Sequence, residues 1–343
     1  EDALRALLDE AGARTPLPAQ DLEAIREAAR AEARERYGGR RARPRVAQWW
    51  MAAAAAVLLA AAGLLVLRRA PAPAAATSAA SVERLTGEVR SSEGVGELAP
   101  LPGEAVGRSI PVGALLETGG SDGNAGSVAL AMAGGASVRL DAGSRLRVAS
   151  PTVIELERGG VYVDTGRTAS DREHVAVRTA AGLFQSIGTQ FEVRAEEGGA
   201  LTRLKVREGR VRLERGAQSV LTDAGQELVV RGDGSLDRGE TAADGPEWDW
   251  VLTSAPMPDI EGVKVRTFLE WLARERGWRV ELADSATAAL ADSVVLHGSI
   301  AHLTPAQAPD VVLPSGGLGY RVSKGTLVVF VANGRKEPVR TPR

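Results

Sequence analysis

The feature that most limits what this chain can become is a long uncharged run near its N-terminus. Residues 49–67 read WWMAAAAAVLLAAAGLLVL, 19 residues without one charge. As a helix the run would rise about 28 Å, close to the hydrocarbon thickness of a bilayer. Two tryptophans begin the run and two arginines follow it, as at membrane interfaces. We predict a transmembrane helix whose anchoring residues are Trp49, Trp50, Leu58, Leu59, Leu64, Leu65, Arg68 and Arg69.

Two other interpretations of the run are a buried Ala-rich helix and the apolar core of a signal peptide. A signal peptide fits poorly, because 48 residues precede the run and an n-region is far shorter. Arginines crowd residues 34–45, whereas Arg68 and Arg69 are the only nearby charges on the other side. This bias predicts a cytoplasmic N-terminus in a bacterial inner membrane, with most of the chain in the periplasm.

The overall charge and residue usage exclude several classes of function. The chain has 42 basic and 44 acidic residues, so no global field attracts nucleic acid, and no direct nucleic-acid partner is predicted. The absence of cysteine excludes disulfide and thiolate chemistry. The three histidines are His174, His297 and His302, and no cysteine or nearby acid completes a metal set around His297 and His302. With no nucleophile elbow and no phosphate loop, we predict no external substrate, metal or cofactor.

Residues 1–48 have the composition of a small helical arm. Two apolar stripes lie on either side of a Pro-Leu-Pro break, and so short a segment cannot bury a core by itself. It is either a solvated juxtamembrane helix or a segment that folds against a partner. In the second case the contact residues are Leu4, Leu7, Leu8, Leu22 and Ile25.

The pattern after the span is that of a mainly β protein. Residues 68–95 begin as a Pro/Ala-rich sequence and are predicted to be a linker, and residues 96–240 alternate apolar and polar positions between Gly, Asp and Ser turns. Residues 154–166 match residues 204–216 with aligned glycines, and each copy is typical of a strand, a Gly turn and a second strand. Such a repeat favours a β-solenoid or a twisted β-sandwich.

A different pattern begins near residue 246. An amphipathic helix at Val263–Gly277 precedes a strand, two further short strands at 294–296 and 300–303, and a closing hairpin around Lys324-Gly325. Thr304-Pro305 has the form of a helix start, although Pro309 would shorten or bend that helix. Residues 246–332 are therefore predicted to be a small β-α-β module, and residues 333–343 a disordered tail.

One stretch of the β region has a chemical alternative. FQSIGTQFEV at 184–193 would be a good strand without its Gly188-Thr189 pair. Glycine inside a strand usually marks a bulge or a close backbone approach. Alternatively, the Thr189 hydroxyl could attack the Gly188 carbonyl and form an ester that water cleaves.

Several motifs in this order resemble the FecR family of bacterial sigma-factor regulators. They cover residues 98–238 and are Leu116-Glu-Thr-Gly119, Gly159-Gly160-Val-Tyr-Val, Val175-Ala-Val-Arg-Thr179, Ile187-Gly-Thr-Gln-Phe-Glu-Val193, Lys205-Val-Arg-Glu-Gly-Arg-Val211 and Leu221-Thr-Asp-Ala-Gly-Gln-Glu227. The C-terminal module is similar to the short N-terminal domain of secretins and TonB-dependent receptors.

The resemblance implies a single-pass signal transducer. Its cytoplasmic arm would bind an extracytoplasmic-function sigma factor, and its periplasmic part would receive a signal, from an outer-membrane TonB-dependent receptor in some relatives. Some members of the family are split at a Gly-Thr bond by an internal acyl shift, which would correspond to Gly188-Thr189 here. The alternative is a membrane-tethered periplasmic binding or scaffold protein without sigma-factor regulation.

Overall fold

Strands are the commonest secondary structure in the part of the chain that can be described. The computed structural model describes residues 19–37, 78–94, 96–120, 125–166 and 175–332. The mainly β character predicted from the alternating sequence is confirmed. Among these residues no helix is both long and apolar enough to cross a membrane, and the predicted span at 49–67 lies outside them.

Contacts divide the chain into two units between residues 73 and 74. In the first unit, the helix α1 spans Ala19–Tyr37. Its Ala-, Glu- and Arg-rich sequence favours helix, because these residues lose little side-chain freedom there. The side chains described within it, at 23–32, are all exposed.

In the described residues of the second unit, 15 strands form one continuous sheet. They are β1 Ser78–Thr86, β2 Val89–Ser92, β3 Ala99–Pro100, β4 Ser109–Pro111, β5 Leu115–Thr118, β6 Ser127–Met132, β7 Ser137–Leu140, β8 Arg145–Ser150, β9 Val153–Asp164, β10 Ala176–Thr179, β11 Gly182–Ala195, β12 Leu201–Arg215, β13 Gln218–Asp223, β14 Gln226–Arg231 and β15 Leu236–Glu240.

The sheet bends at three of its long strands. β9, β11 and β12 each contain a glycine with positive φ near the middle: Gly159 at 88°, Gly188 at 64° and Gly209 at 77°. The two repeat copies fall on β9 and β12. The prediction of a strand, a turn and a second strand in each copy is wrong, because each copy is one strand that bends and continues to pair on both sides of its glycine.

The bends separate the sheet into two halves. The first halves of β9 and β11 pair with β10, whereas their second halves pair with each other. β12 pairs with β14 before its bend and with β13 after it. One apolar core collects side chains from both halves, among them Ile154, Val163, Phe184 and Phe191. Burying this shared core holds the halves together.

The β domain begins earlier than the sequence indicated. Residues 68–95 were predicted to be a linker, but β1 and β2 lie within this range. Ala79, Ala80 and Val82 are buried in the core. The linker prediction is therefore wrong from Ser78 onward, because small side chains such as alanine also suit a strand that lies close to its neighbours.

The C-terminal part is a smaller α+β module with its own core. Its three-stranded sheet has the order β16-β18-β17, with β16 parallel and β17 antiparallel to β18. Its elements, after the short connecting helix α2 Asp249–Thr253, are α3 Val265–Arg276, β16 Arg279–Leu282, α4 Ser285–Ser293, α5 Ala308–Ser315, β17 Leu318–Ser323 and β18 Thr326–Val331.

The helix α3, its following strand and the closing hairpin agree with the sequence prediction, and two details differ. Residues 285–293 form α4, which the sequence analysis missed, although Asp284 caps it by accepting a hydrogen bond from the Thr287 amide at 2.7 Å. Thr304-Pro305 forms a turn instead of a helix start. Pro309 does not break α5, because it lies in the first turn, where no intrahelical amide bond is needed.

The two short strands predicted in this module are not formed. In the range 294–296 a single bridge joins Val295 to Lys264, and residues 300–303 are a turn. Leu296 and Ile300 still enter the core of the module. Apolar residues of both segments are therefore buried without strand pairing. For this reason the apolar pattern led to an incorrect prediction of strands.

Candidate functional site

Gly188 and Thr189 lie at the bend of β11, where the pairing with β12 shifts register. Gly188 has φ 64°, a conformation that glycine adopts without strain. A Cβ on Gly209 of the neighbouring strand would overlap the Gly188 carbonyl oxygen, so the two backbones approach closely here. The bulge interpretation of this pair therefore agrees with the local geometry.

Thr165 holds both backbone groups of Thr189. The Thr189 amide donates to Thr165 Oγ1 at 2.8 Å, and the Thr165 amide donates to the Thr189 carbonyl at 3.1 Å. Thr165 Oγ1 in turn donates to that carbonyl at 3.2 Å. The Thr189 side chain is buried, and among the described residues its own hydroxyl has no hydrogen-bond partner. The corner is thus fixed through its backbone, and the hydroxyl next to the Gly188 carbonyl is uncommitted.

Next to Thr165, Asp164 at the end of β9 meets Arg274 from the last turn of α3. Arg274 Nε donates to Asp164 Oδ2 at 3.0 Å, and Nη2 contacts Oδ1. Gln190 Nε2 also donates to Asp164, at 2.8 Å. Burial would raise the pKa of Asp164, but the hydrogen bonds and charge of Arg274 outweigh it, and the pKa is lowered.

The same arginine contacts the other two bent strands. Arg274 Nη1 donates to Glu208 Oε2 of β12 at 2.7 Å, directly before the bend glycine Gly209. The Arg274 carbonyl accepts from Gln190 Nε2 of β11 at 3.3 Å. One residue of the C-terminal module therefore touches the end of β9 and the bends of β11 and β12.

A second ion pair joins α3 to the sheet. Arg139 of β7 donates to both carboxylate oxygens of Glu275, at 2.7 and 2.8 Å. The side chains are only 1% and 7% exposed. Burial would lower the pKa of Arg139, but the Glu275 carboxylate outweighs it, and the pKa is raised. The pair is therefore almost completely enclosed.

Trp248, just before α2, fills the space beside this pair. Its ring meets the Tyr162 ring edge-on at 6.1 Å between centroids, and the Arg207 guanidinium lies 4.5 Å from it. Arg207 also donates to the Glu275 carbonyl at 3.0 Å. Tyr162, Trp248 and Val251 form a small apolar cluster separate from the two larger cores. The site is thus a polar seam around one buried aromatic pair.

The structure places the other predicted residues as follows. Ile25 is 57% exposed on α1. Leu22 lies in α1, but its side chain is outside the described residues. His297 lies 2.8 Å from Glu261 on the surface. The remaining predicted contact and anchor residues fall outside the described residues: Leu4, Leu7, Leu8, Trp49, Trp50, Leu58, Leu59, Leu64, Leu65, Arg68 and Arg69.

The sequence analysis missed the charged residues of the seam: Arg139, Asp164, Arg207, Arg274 and Glu275. One signal was available. Arg139 stands between the apolar Val138 and Leu140, and an arginine that is buried at such a position needs a partner. The identity of that partner could not be read from the sequence.

Fold and site together define a bent β domain with a second module docked at its corner. Residues 118–212, which include the corner, match the family model described as FecR protein. The resemblance to the FecR family is thereby confirmed over this region.

The chain is also similar to two crystal structures of a "putative anti-sigma factor" from Parabacteroides distasonis. The identities are 17% and 16%, and each comparison covers 63% of this chain and 97% of the other, with a TM-score of 0.35. A TM-score of this size does not establish a common arrangement of the whole chains. No curated protein sequence matches the chain.

Proposed function

We propose that this protein is a single-pass inner-membrane regulator of an extracytoplasmic-function sigma factor. The observation that carries the proposal is the FecR match over residues 118–212, which contains all three bent strands in whole or in part. The uncharged run at 49–67 and the arginines before it support a cytoplasmic arm and a periplasmic β domain.

In this proposal the arm at residues 1–48 binds the sigma factor through Leu4, Leu7, Leu8, Leu22 and Ile25. The exposed Ile25 on α1 is compatible with a contact of this kind. The periplasmic part receives its signal from outside, and an outer-membrane TonB-dependent receptor is the partner that the family resemblance suggests.

The test is co-purification of the full chain with the sigma factor encoded beside it. Ile25→Asp should abolish capture, because a charge enters the apolar stripe. Ala31→Asp is the matched control: it is also exposed on α1, but about 120° away around the helix at 100° per residue. Equal capture by all three proteins would refute the assigned binding face. Failure of the unaltered chain to capture any sigma factor would refute the function.

We further propose that the protein cleaves its own Gly188-Thr189 peptide bond in a single turnover. Thr189 Oγ1 would attack the Gly188 carbonyl carbon, the amide nitrogen would leave with a proton as an amine, and water would hydrolyse the resulting ester. The uncommitted hydroxyl and the positive φ of Gly188 support this chemistry.

Immunoblotting of the full chain tests it. The unaltered protein and Thr189→Ser, which keeps a hydroxyl, should give two fragments, and Thr189→Val should give one full-length band. A single full-length band in all three would refute self-cleavage without affecting the sigma-factor proposal.

A further inference from the structure

The seam between the β domain and α3 has an unusual composition for a permanent contact. The β domain and residues 260–332, here called the cap, each have a separate apolar core. The hydrogen bonds and ion pairs that α3 makes across the seam are Arg139–Glu275, Arg274–Asp164, Arg274–Glu208, Arg207–Glu275 and Gln190–Arg274. Separating the two bodies would therefore leave both cores intact.

Such a seam is specific in geometry but weak in net energy. Moving the charged groups of Arg139 and Glu275 out of water carries a desolvation penalty, which offsets much of the attraction between them. When the cap moves away, both groups regain their hydration. Contacts of this kind between domains commonly permit relative motion, unlike large apolar interfaces. Pro256 and Pro258 in the segment before the cap contribute no amide donor that would tie it to a strand.

The seam is also connected to the Gly188-Thr189 corner. Arg274 binds Asp164, and the next residue, Thr165, holds the amide and the carbonyl of Thr189. Arg274 further binds Glu208, beside the glycine that packs on Gly188. Loss of Arg274 would free one partner on each strand that forms the corner.

We propose that the cap is releasable, and that the Arg139–Glu275 and Asp164–Arg274 pairs are a latch whose opening loosens the Gly188-Thr189 corner. A signal that binds the cap in its undocked position would thereby change the β domain without unfolding it. This inference concerns motion within the chain and holds whether or not a sigma factor is the cytoplasmic partner.

The test uses the full chain, which has no cysteine and accepts two spin labels cleanly. Exposed Ser219 on β13 and exposed Ser323 on β17 are replaced by cysteine, and electron–electron resonance gives the distance distribution between β domain and cap. Hydrogen exchange of the peptides covering β11 and β6 is measured on the same proteins.

The variants are Arg274→Met and Glu275→Gln, with Arg276→Met as the matched control. Arg276 lies in the same helical turn, but its guanidinium lies over Trp278, a residue of the cap itself, at 4.3 Å. We expect both latch variants to raise the undocked population and the exchange rate of β11 at least about tenfold, as loss of charged hydrogen bonds implies. β6 should keep its protection, and the control should match the unaltered chain.

Each of four outcomes would refute one part of the proposal. An unchanged distance distribution in both latch variants refutes release. Undocking without faster exchange in β11 refutes the coupling to the corner. Faster exchange in β6 as well shows general unfolding and refutes separable bodies. An equal effect of Arg276→Met refutes the assignment of the latch to these two pairs.

Discussion

The close approach at the corner makes Gly209→Ala a sharp test of the bend. Gly209 has φ 77°, and a Cβ there would overlap the Gly188 carbonyl oxygen and lie 2.9 Å from the Thr189 side-chain methyl. The matched control is Gly216→Ala in the turn after β12. It also has positive φ, 56°, but a Cβ there would meet no atom within 4 Å.

The two substitutions share one cost and differ in another. An alanine in the left-handed conformation costs about 1–2 kcal/mol. Replacing glycine by alanine also lowers the conformational entropy of the unfolded chain, which offsets about 0.4–1 kcal/mol of this cost. Gly216→Ala should therefore destabilise by at most about 1.6 kcal/mol. Gly209→Ala adds the backbone overlap, and overpacking of this kind costs about 1–3 kcal/mol more.

Urea unfolding of the full chain, followed by far-UV circular dichroism, measures the difference. With unchanged slopes, the midpoint for Gly209→Ala should fall clearly below that for Gly216→Ala. Equal midpoints for the two variants would refute the close approach, and with it the requirement for glycine at the bend of β12.

Three further predictions concern single side chains. Asp284→Ala removes the residue that caps the N-terminus of α4. It should lower the free energy of unfolding of residues 260–332 by about 1 kcal/mol, measured by thermal unfolding. Phe191→Ala empties a fully buried core position and should cost about 3–5 kcal/mol in urea unfolding. Ile187→Ala on the same strand, 38% exposed, should cost less than about 1 kcal/mol, and equal losses would contradict the core assignment. The lowered pKa of Asp164 means that its contribution is complete above its ordinary pKa of 3.8 and is lost as pH falls through the lower folded value. The stability difference between the unaltered chain and Asp164→Asn should therefore be constant near neutrality and shrink in strong acid, and a difference that vanished near neutral pH would contradict the pairing with Arg274.

Local patterns predicted much of the fold. The alternation in the β domain, the helix ending at Gly277 and the closing hairpin around Lys324-Gly325 each depend on neighbouring residues, so their signals are present in short windows. The corner at Gly188-Thr189 was found for the same reason, since a glycine within a strand pattern marks an irregular backbone.

The bends show where local signals are ambiguous. A glycine with positive φ serves equally in a hairpin turn and in a strand that bends and continues. For Gly159 and Gly209 the choice was made by the strands on either side, which keep pairing past the glycine. That information belongs to neighbours that are distant along the chain.

The sequence by itself determined the strand-rich β domain, the separate C-terminal module and the irregular corner, because periodicity and glycine placement act through adjacent residues. Only the tertiary structure decided which charges meet. Arg139 and Glu275 are 136 residues apart, and Asp164 and Arg274 are 110 apart. With 42 basic and 44 acidic residues, a great many pairings are available. Topology selects the few that are enclosed, and burial makes the loss of one partner costly, because the other charge is then left unpaired.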